Sequence, residues 1–143
     1  MTKPNTPTLL PQIQWDFGII DASVQAGFPS PADEHLVERT ELMGNLVKHP
    51  QATYLLRVQG ESMREVGIFD GDVLLVDKAI EPKHGQVVVA VVNGDFVCKT
   101  LYQRAGLTKL RPANVTFPDI IPKPGETLEI WGVVIATIKQ FRT

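Results

Sequence analysis

Between residues 54 and 138 the sequence alternates short β-forming runs with turn signals, and few architectures accept that pattern. The runs are 54–58, 73–77, 86–92, 95–102, 107–110 and 126–138, all rich in β-branched and aromatic residues. Asp70-Gly71, His84-Gly85, Asn93-Gly94 and Pro124-Gly125 punctuate them. Asn93-Gly94 is the strongest hairpin signal, because both residues tolerate positive φ between two apolar runs. Strand runs joined by short connections, with little helix between them, predict a mostly β, antiparallel, compact domain.

The N-terminal part reads differently. Pro4, Pro7, Pro11, Pro29 and Pro31 remove backbone donors and bias the residues before them toward extended conformations. Residues 1–36 are therefore expected to form an extended arm, and 37–143 the β-rich domain. Within the arm, residues 15–20 are apolar enough to dock on something. From 36 to 47 the apolar positions Leu36, Val37, Met43, Leu46 and Val47 allow a short helix, surest over 41–48. Thr40 is its expected cap and His49-Pro50 its stop.

With 143 residues, 43% hydrophobic and 21% charged, the chain can bury a core of ordinary size. A formal net charge of −2 supplies no basic field for gripping DNA unaided. The one cysteine, Cys98, excludes an internal disulfide and most cysteine metal sites, which fits a reducing cytoplasm. No His/Cys pair has metal-ligand spacing, and neither a metal nor a cofactor is expected. No apolar run reaches the roughly 18–20 residues that span a bilayer. Residues 1–14 lack the apolar core of a secretory signal.

Two residues carry the possibility of chemistry. In Gly60-Glu61-Ser62-Met63 a glycine beside a strand end lets the chain turn sharply and present Ser62 at a corner. A turn or capping serine would look the same. In Phe96-Val97-Cys98-Lys99-Thr100-Leu101, alternation puts Lys99 on the face of Val97 and Leu101. A lysine among aliphatic neighbours is either a desolvated base with a lowered pKa or an edge lysine whose head reaches water. A serine–histidine arrangement competes poorly. His49 and His84 sit in expected turns beside Pro50 and Gly85, and His35 lies in the arm.

Taken together, these motifs resemble the self-cleaving UmuD/LexA peptidase family. Gly60-Glu61-Ser62-Met63 followed by Gly67-Ile68-Phe69-Asp70-Gly71-Asp72-Val73-Leu74-Leu75-Val76-Asp77 is similar to its nucleophile segment. Gly94-Asp95-Phe96-Val97-Cys98-Lys99, 37 residues beyond Ser62 at its lysine, is similar to the segment of its base. Ala26-Gly27-Phe28-Pro29-Ser30-Pro31 resembles the UmuD cleavage segment, 36 residues before Ser62. His49-Pro50, Ala52-Thr53-Tyr54 and Trp131-Gly132-Val133-Val134-Ile135 extend the likeness over nearly everything after about residue 20.

The resemblance implies a Ser62 nucleophile, a Lys99 base, a scissile Ala26–Gly27 bond and an oxyanion held by the backbone N–H groups of Glu61 and Ser62. It also implies a homodimer, stimulation by the RecA–single-stranded-DNA filament and partnership with a UmuC-like error-prone polymerase in translesion synthesis. Ala26 stands where UmuD has cysteine and LexA has alanine; a small residue fits either way. The 25 residues before Ala26 are too few for the winged helix-turn-helix of a LexA-type repressor, so the UmuD branch is the better match. The alternatives are a catalytically silent β interaction module binding polymerase or filament, a signal-peptidase-like enzyme, and a phage-type repressor fragment. The signal-peptidase reading needs a membrane anchor, and the repressor fragment needs a DNA-binding domain from another chain.

Overall fold

The computed structural model describes residues 7–9, 16–20, 26 and 37–143. In chain order they hold β1 (Thr8–Leu9), β2 (Asp16–Ile20), β3 (Val37–Glu41), α1 (Leu42–Leu46), β4 (Thr53–Arg57), β5 (Val73–Asp77), β6 (Val87–Val92), β7 (Asp95–Arg104), β8 (Leu107–Arg111) and β9 (Leu128–Ile138). They divide into two compact units, one taking β1 and everything from His49 onward, the other β2, β3 and α1.

In the first unit seven strands form one antiparallel sheet in the order β1-β4-β5-β9-β6-β7-β8. The expected mostly β, antiparallel fold is the one the chain adopts. The strands near the centre of the sheet are covered on both faces, which is why β5 and β6 read as nearly unbroken apolar runs. Along β6, Val89 packs into a core with Leu56, Val58, Met63, Ile68, Leu74 and Val76. Its neighbours Val88 and Ala90 point the other way, into a second core with Leu101, Leu110 and Val133. The Asn93-Gly94 turn joins β6 to β7 with φ of 48° and 88°, the paired positive values that a two-residue hairpin demands.

β9 pairs with β5 on one side and β6 on the other. Its register shifts against both partners, between Leu75 and Val76 and between Val89 and Ala90, and such bulges sharpen the twist of a sheet. At Gly132 the neighbouring strand comes so close that a Cβ would meet Val76 Cγ1 at 2.6 Å and the Asp77 carbonyl oxygen at 3.3 Å. The glycine of the Trp131-Gly132 motif is there for that approach.

In the second unit β2 pairs antiparallel with β3, from Asp16 opposite Glu41 to Ile20 opposite Val37. The helix expected from 36 to 47 is shorter: only Leu42–Leu46 is helical, and Thr40, its expected cap, lies inside β3. Five cross-strand pairs outweigh the helical spacing, β-branched Val37 and Thr40 suit a strand, and Gly44 weakens the helix interior. The helix ends at Leu46, short of the expected stop at His49-Pro50, and Pro50 opens a separate 3₁₀ turn, Pro50–Ala52. Of residues 15–20, read as an apolar docking segment of the arm, 16–20 are one strand of a two-stranded sheet.

Replacing Gly132 by alanine should destabilise the fold by about 1–3 kcal/mol, the usual range for overpacking. A urea unfolding midpoint equal to that of wild type would show that Val76 yields without strain.

Candidate active site

After β4 the chain stays paired for one more residue. The Val58 N–H donates to the Asp72 carbonyl at 2.8 Å, and the Gly71 N–H returns a bond to the Val58 carbonyl at 2.9 Å. It then turns at Gly60, whose φ of 94° suits glycine. The Gly60 N–H donates to Asp70 Oδ1 at 2.8 Å. Three residues on, the Met63 side chain is 2% exposed and enters the core around Leu56 and Leu74. Ser62 stands between these two anchors. A 3₁₀ turn, Arg64–Val66, follows and closes on Gly67 in the left-handed conformation. The acidic residues of the Asp70-Gly71-Asp72 motif are therefore structural wires: Asp70 holds Gly60, and Asp72 Oδ2 accepts from the Phe69 N–H at 2.9 Å and pairs with Lys139.

Lys99 arrives from the other side of the fold. β7 pairs with β6 from Asp95 to Thr100, whereas β8 joins it only from Thr100 onward. Lys99 is thus the last residue of β7 before β8 covers that edge. Its Nζ lies 2.6 Å from Ser62 Oγ in a hydrogen bond that joins residues 37 apart in sequence. Val97 and Leu101 do pack in one core and Phe96 and Cys98 in the other, as alternation requires. Beside the pair opens a cleft whose apolar lining includes Leu56, Val58, Met63, Leu74, Val89 and Phe96. Phe96 is held there by an edge-on contact with Trp131, ring centroids 5.5 Å apart.

Burial governs the electrostatics of the site. Lys99 is half-buried, and desolvation lowers its ammonium pKa below the ordinary lysine range, opposed only by the charge that the neighbouring Cys98 carries once ionised. Burial pushes the Cys98 thiol up to about 11, opposed by Lys99. Near neutral pH the cysteine stays a thiol, and a thiol is a poor nucleophile. When Lys99 is charged, Nζ–H donates to Ser62 Oγ; when it is neutral, the serine hydroxyl can donate to the amine lone pair, the arrangement that transfers a proton away from oxygen.

His49 and His84 are engaged elsewhere. His49 Nδ1 is 2.7 Å from Oδ2 of the fully buried Asp77, and His84 Nδ1 accepts from the Gln103 N–H at 3.0 Å. His35 lies outside the described residues. Among the described residues, no group of three or more His, Cys, Asp and Glu side chains is placed to hold a metal ion, and no helix is long and apolar enough to cross a membrane. Ala26 is exposed in a bend, while Gly27, Pro29 and Pro31 lie outside the described residues. Glu61 is exposed; its carbonyl accepts from the Arg64 N–H at 3.2 Å, which closes the turn that carries Ser62.

The sequence did not single out the segment that braces this turn. The Glu65 N–H donates to the Ala113 carbonyl at 2.7 Å, Asn114 Nδ2 donates to the Glu61 carbonyl at 2.8 Å, and the Val115 N–H donates to Glu65 Oε2 at 2.8 Å. Asn114 Oδ1 also accepts from the Thr116 N–H at 3.1 Å, a local turn signal that the sequence does carry. Its reach to a residue 53 positions away is visible only in the fold.

Comparison with known proteins adds the family. The Peptidase S24-like family matches residues 18–135. MucA of Salmonella typhimurium is 45% identical over 112 residues, covering 78% of this chain and 76% of MucA. SamA of Salmonella typhimurium strain LT2 is 39% identical over 118 residues, covering 82% of this chain and 81% of SamA. The LexA repressor of Paracidovorax citrulli is 40% identical over 117 residues, 82% of this chain but 52% of the repressor. A mostly β antiparallel fold, a match over most of the chain and UmuD-like and LexA relatives agree: the chain belongs to the S24-like peptidases, the self-cleaving serine peptidase family of LexA and the UmuD-like proteins.

Proposed function

We propose that this chain cuts its own Ala26–Gly27 bond, with Ser62 as nucleophile and Lys99 as general base. The observation that most supports this reading is the 2.6 Å hydrogen bond between Lys99 Nζ and Ser62 Oγ, made by a lysine that burial biases toward its neutral form. Neutral Lys99 takes the hydroxyl proton as Oγ attacks the Ala26 carbonyl carbon. The oxyanion that forms is held by backbone N–H groups at the serine corner, those of Ser62 and Glu61. The Lys99 ammonium then gives its proton to the departing Gly27 nitrogen, leaving Ala26 esterified to Ser62. In the second half Lys99 takes a proton from water, the hydroxide attacks the ester, and the proton returns to Ser62 Oγ. One peptide bond and one water yield a carboxylate at Ala26 and an amine at Gly27.

The residue types around the bond suit that chemistry. Gly27 has no side chain to hinder close approach of the carbonyl. Enzyme and substrate are one chain, so a single event suffices and the gate is conformational. By its family likeness we place the protein in the SOS response to DNA damage. There a RecA–single-stranded-DNA filament stimulates cleavage, and the processed form, 27–143, acts as a homodimer with a UmuC-like polymerase in translesion synthesis. This assigns it to the cytoplasm, where such filaments form. No metal or cofactor enters the scheme.

The decisive experiment is intact mass after incubation at alkaline pH, with and without RecA filament, for the wild type and for Ser62→Ala and Lys99→Ala. The expected result is a fragment beginning at Gly27 that filament accelerates and that neither variant yields. Folded wild type that stays whole even with filament would leave a binding module as the function. Replacing Gly27 by leucine should block cleavage while leaving the far-ultraviolet circular dichroism and the thermal midpoint of the β domain unchanged. Cleavage at the wild-type rate would show that another bond is cut.

A further inference from the structure

The Glu61–Ser62 peptide group carries two jobs at once. Its carbonyl oxygen is gripped from outside the turn by Asn114 Nδ2 at 2.8 Å and from within it by the Arg64 N–H at 3.2 Å. Its N–H belongs to Ser62. A trans peptide is planar, so its carbonyl and N–H point in opposite directions, and whatever fixes one fixes the other.

The direction of the Asn114 amide is itself determined. The Thr116 N–H can only donate, and it lies 3.1 Å from Oδ1, with the Thr116 hydroxyl at 2.8 Å from the same oxygen. The nitrogen end is thereby turned to the Glu61 carbonyl, which can only accept. The segment carrying Asn114 is tied to the serine turn on both flanks, by the Glu65 N–H bond to the Ala113 carbonyl and the Val115 N–H bond to Glu65 Oε2. The Ala113 N–H also faces Met63 Sδ at 3.3 Å.

From this we infer that Asn114 is a positioning residue: by holding the Glu61 carbonyl it sets the orientation of the Ser62 N–H that meets the oxyanion. The inference rests on the proposed Ser62–Lys99 reaction. It assigns Asn114 no contact with substrate and no part in proton transfer. Its effect falls on the rate once Lys99 is neutral, and the pH at which Lys99 becomes neutral stays where it is. The Arg64 bond and both Glu65 bonds survive loss of the side chain, so the turn keeps its outline while the peptide plane gains freedom to rock.

The test is the pH–rate profile of self-cleavage in the full chain for wild type and Asn114→Ala, with thermal midpoints measured alongside. The alkaline plateau rate should fall at least about 10-fold and no further than the roughly 100- to 1,000-fold that losing an oxyanion donor outright costs. The apparent pKa of the profile should stay at the wild-type value. Should the alanine variant not fold, Asn114→Ser keeps a hydroxyl that can accept from Thr116 and adds no charge, but it is too short to reach the Glu61 carbonyl; its plateau rate should fall in the same range. A plateau equal to wild type in a folded variant overturns the inference and leaves the Ser62–Lys99 reaction standing. A shifted apparent pKa overturns it too, because Asn114 would then act through Lys99. A wild-type chain that does not cut itself removes both.

Discussion

The hydrogen bond between Lys99 and Ser62 gives meaning to the rest of the molecule, because neither residue is well suited to its place alone. A half-buried ammonium loses part of its hydration, and a serine hydroxyl near neutral pH is a weak nucleophile. In the structure they are held 2.6 Å apart in a hydrogen bond. Desolvation biases the lysine toward the amine, and in the proposed reaction that amine receives the hydroxyl proton. The neighbouring thiol shows the same physics with the opposite sign. Burial penalises whichever form is charged, so it lowers the lysine and raises Cys98 to about 11.

Holding two side chains from distant parts of the chain at that separation requires a stiff frame, and the sheet supplies it. β9 lies between β5 and β6, with side chains from these strands packed into cores on both faces, so the strands that lead to the site cannot slide independently. β7 carries Lys99 at the point where the β8 pairing begins. The serine arrives on a turn rather than a strand, and turns are normally the loose parts of a fold. Here the looseness is removed at each end: Asp70 ties down Gly60, Met63 is sunk in the core, and the 113–115 segment braces the turn from outside. A polar network and an apolar anchor thus act on one four-residue corner.

Much of this frame is legible in the sequence because its determinants are local. Residues 73–77 read as a strand and are one, and Asn93-Gly94 marks a hairpin whose φ values it alone makes easy. Where a pairing partner decides, local reading fails. The apolar spacing of 36–47 suggests a helix, but residues 37–41 form a strand because β2 lies beside them. The turn at Ala105-Gly106 goes unmarked for a related reason: alanine rarely takes a φ of 53°, and the β7–β8 hairpin imposes it. At the site, alternation locates Lys99 on its strand and glycine locates Ser62 at a corner, but nothing local says that they meet; resemblance to a family supplies that. Asn114 shows the limit most clearly. Its Asx turn with Thr116 is readable, whereas its grip on Glu61 exists only once the sheet has brought the two segments together.

The measurement that bears most directly on the central claim is a titration of the Lys99 amine by nitrogen-detected magnetic resonance, set beside the pH dependence of self-cleavage in the same chain. A base must be neutral to act, so the rate should rise with pH through the Lys99 pKa and level off above it. That pKa should lie below the value of roughly 10.4 for a free lysine, with the kinetic and spectroscopic midpoints coinciding. A lysine that titrates at the free value, or a cleavage rate flat between pH 7 and 10 with the fold intact, would contradict the account.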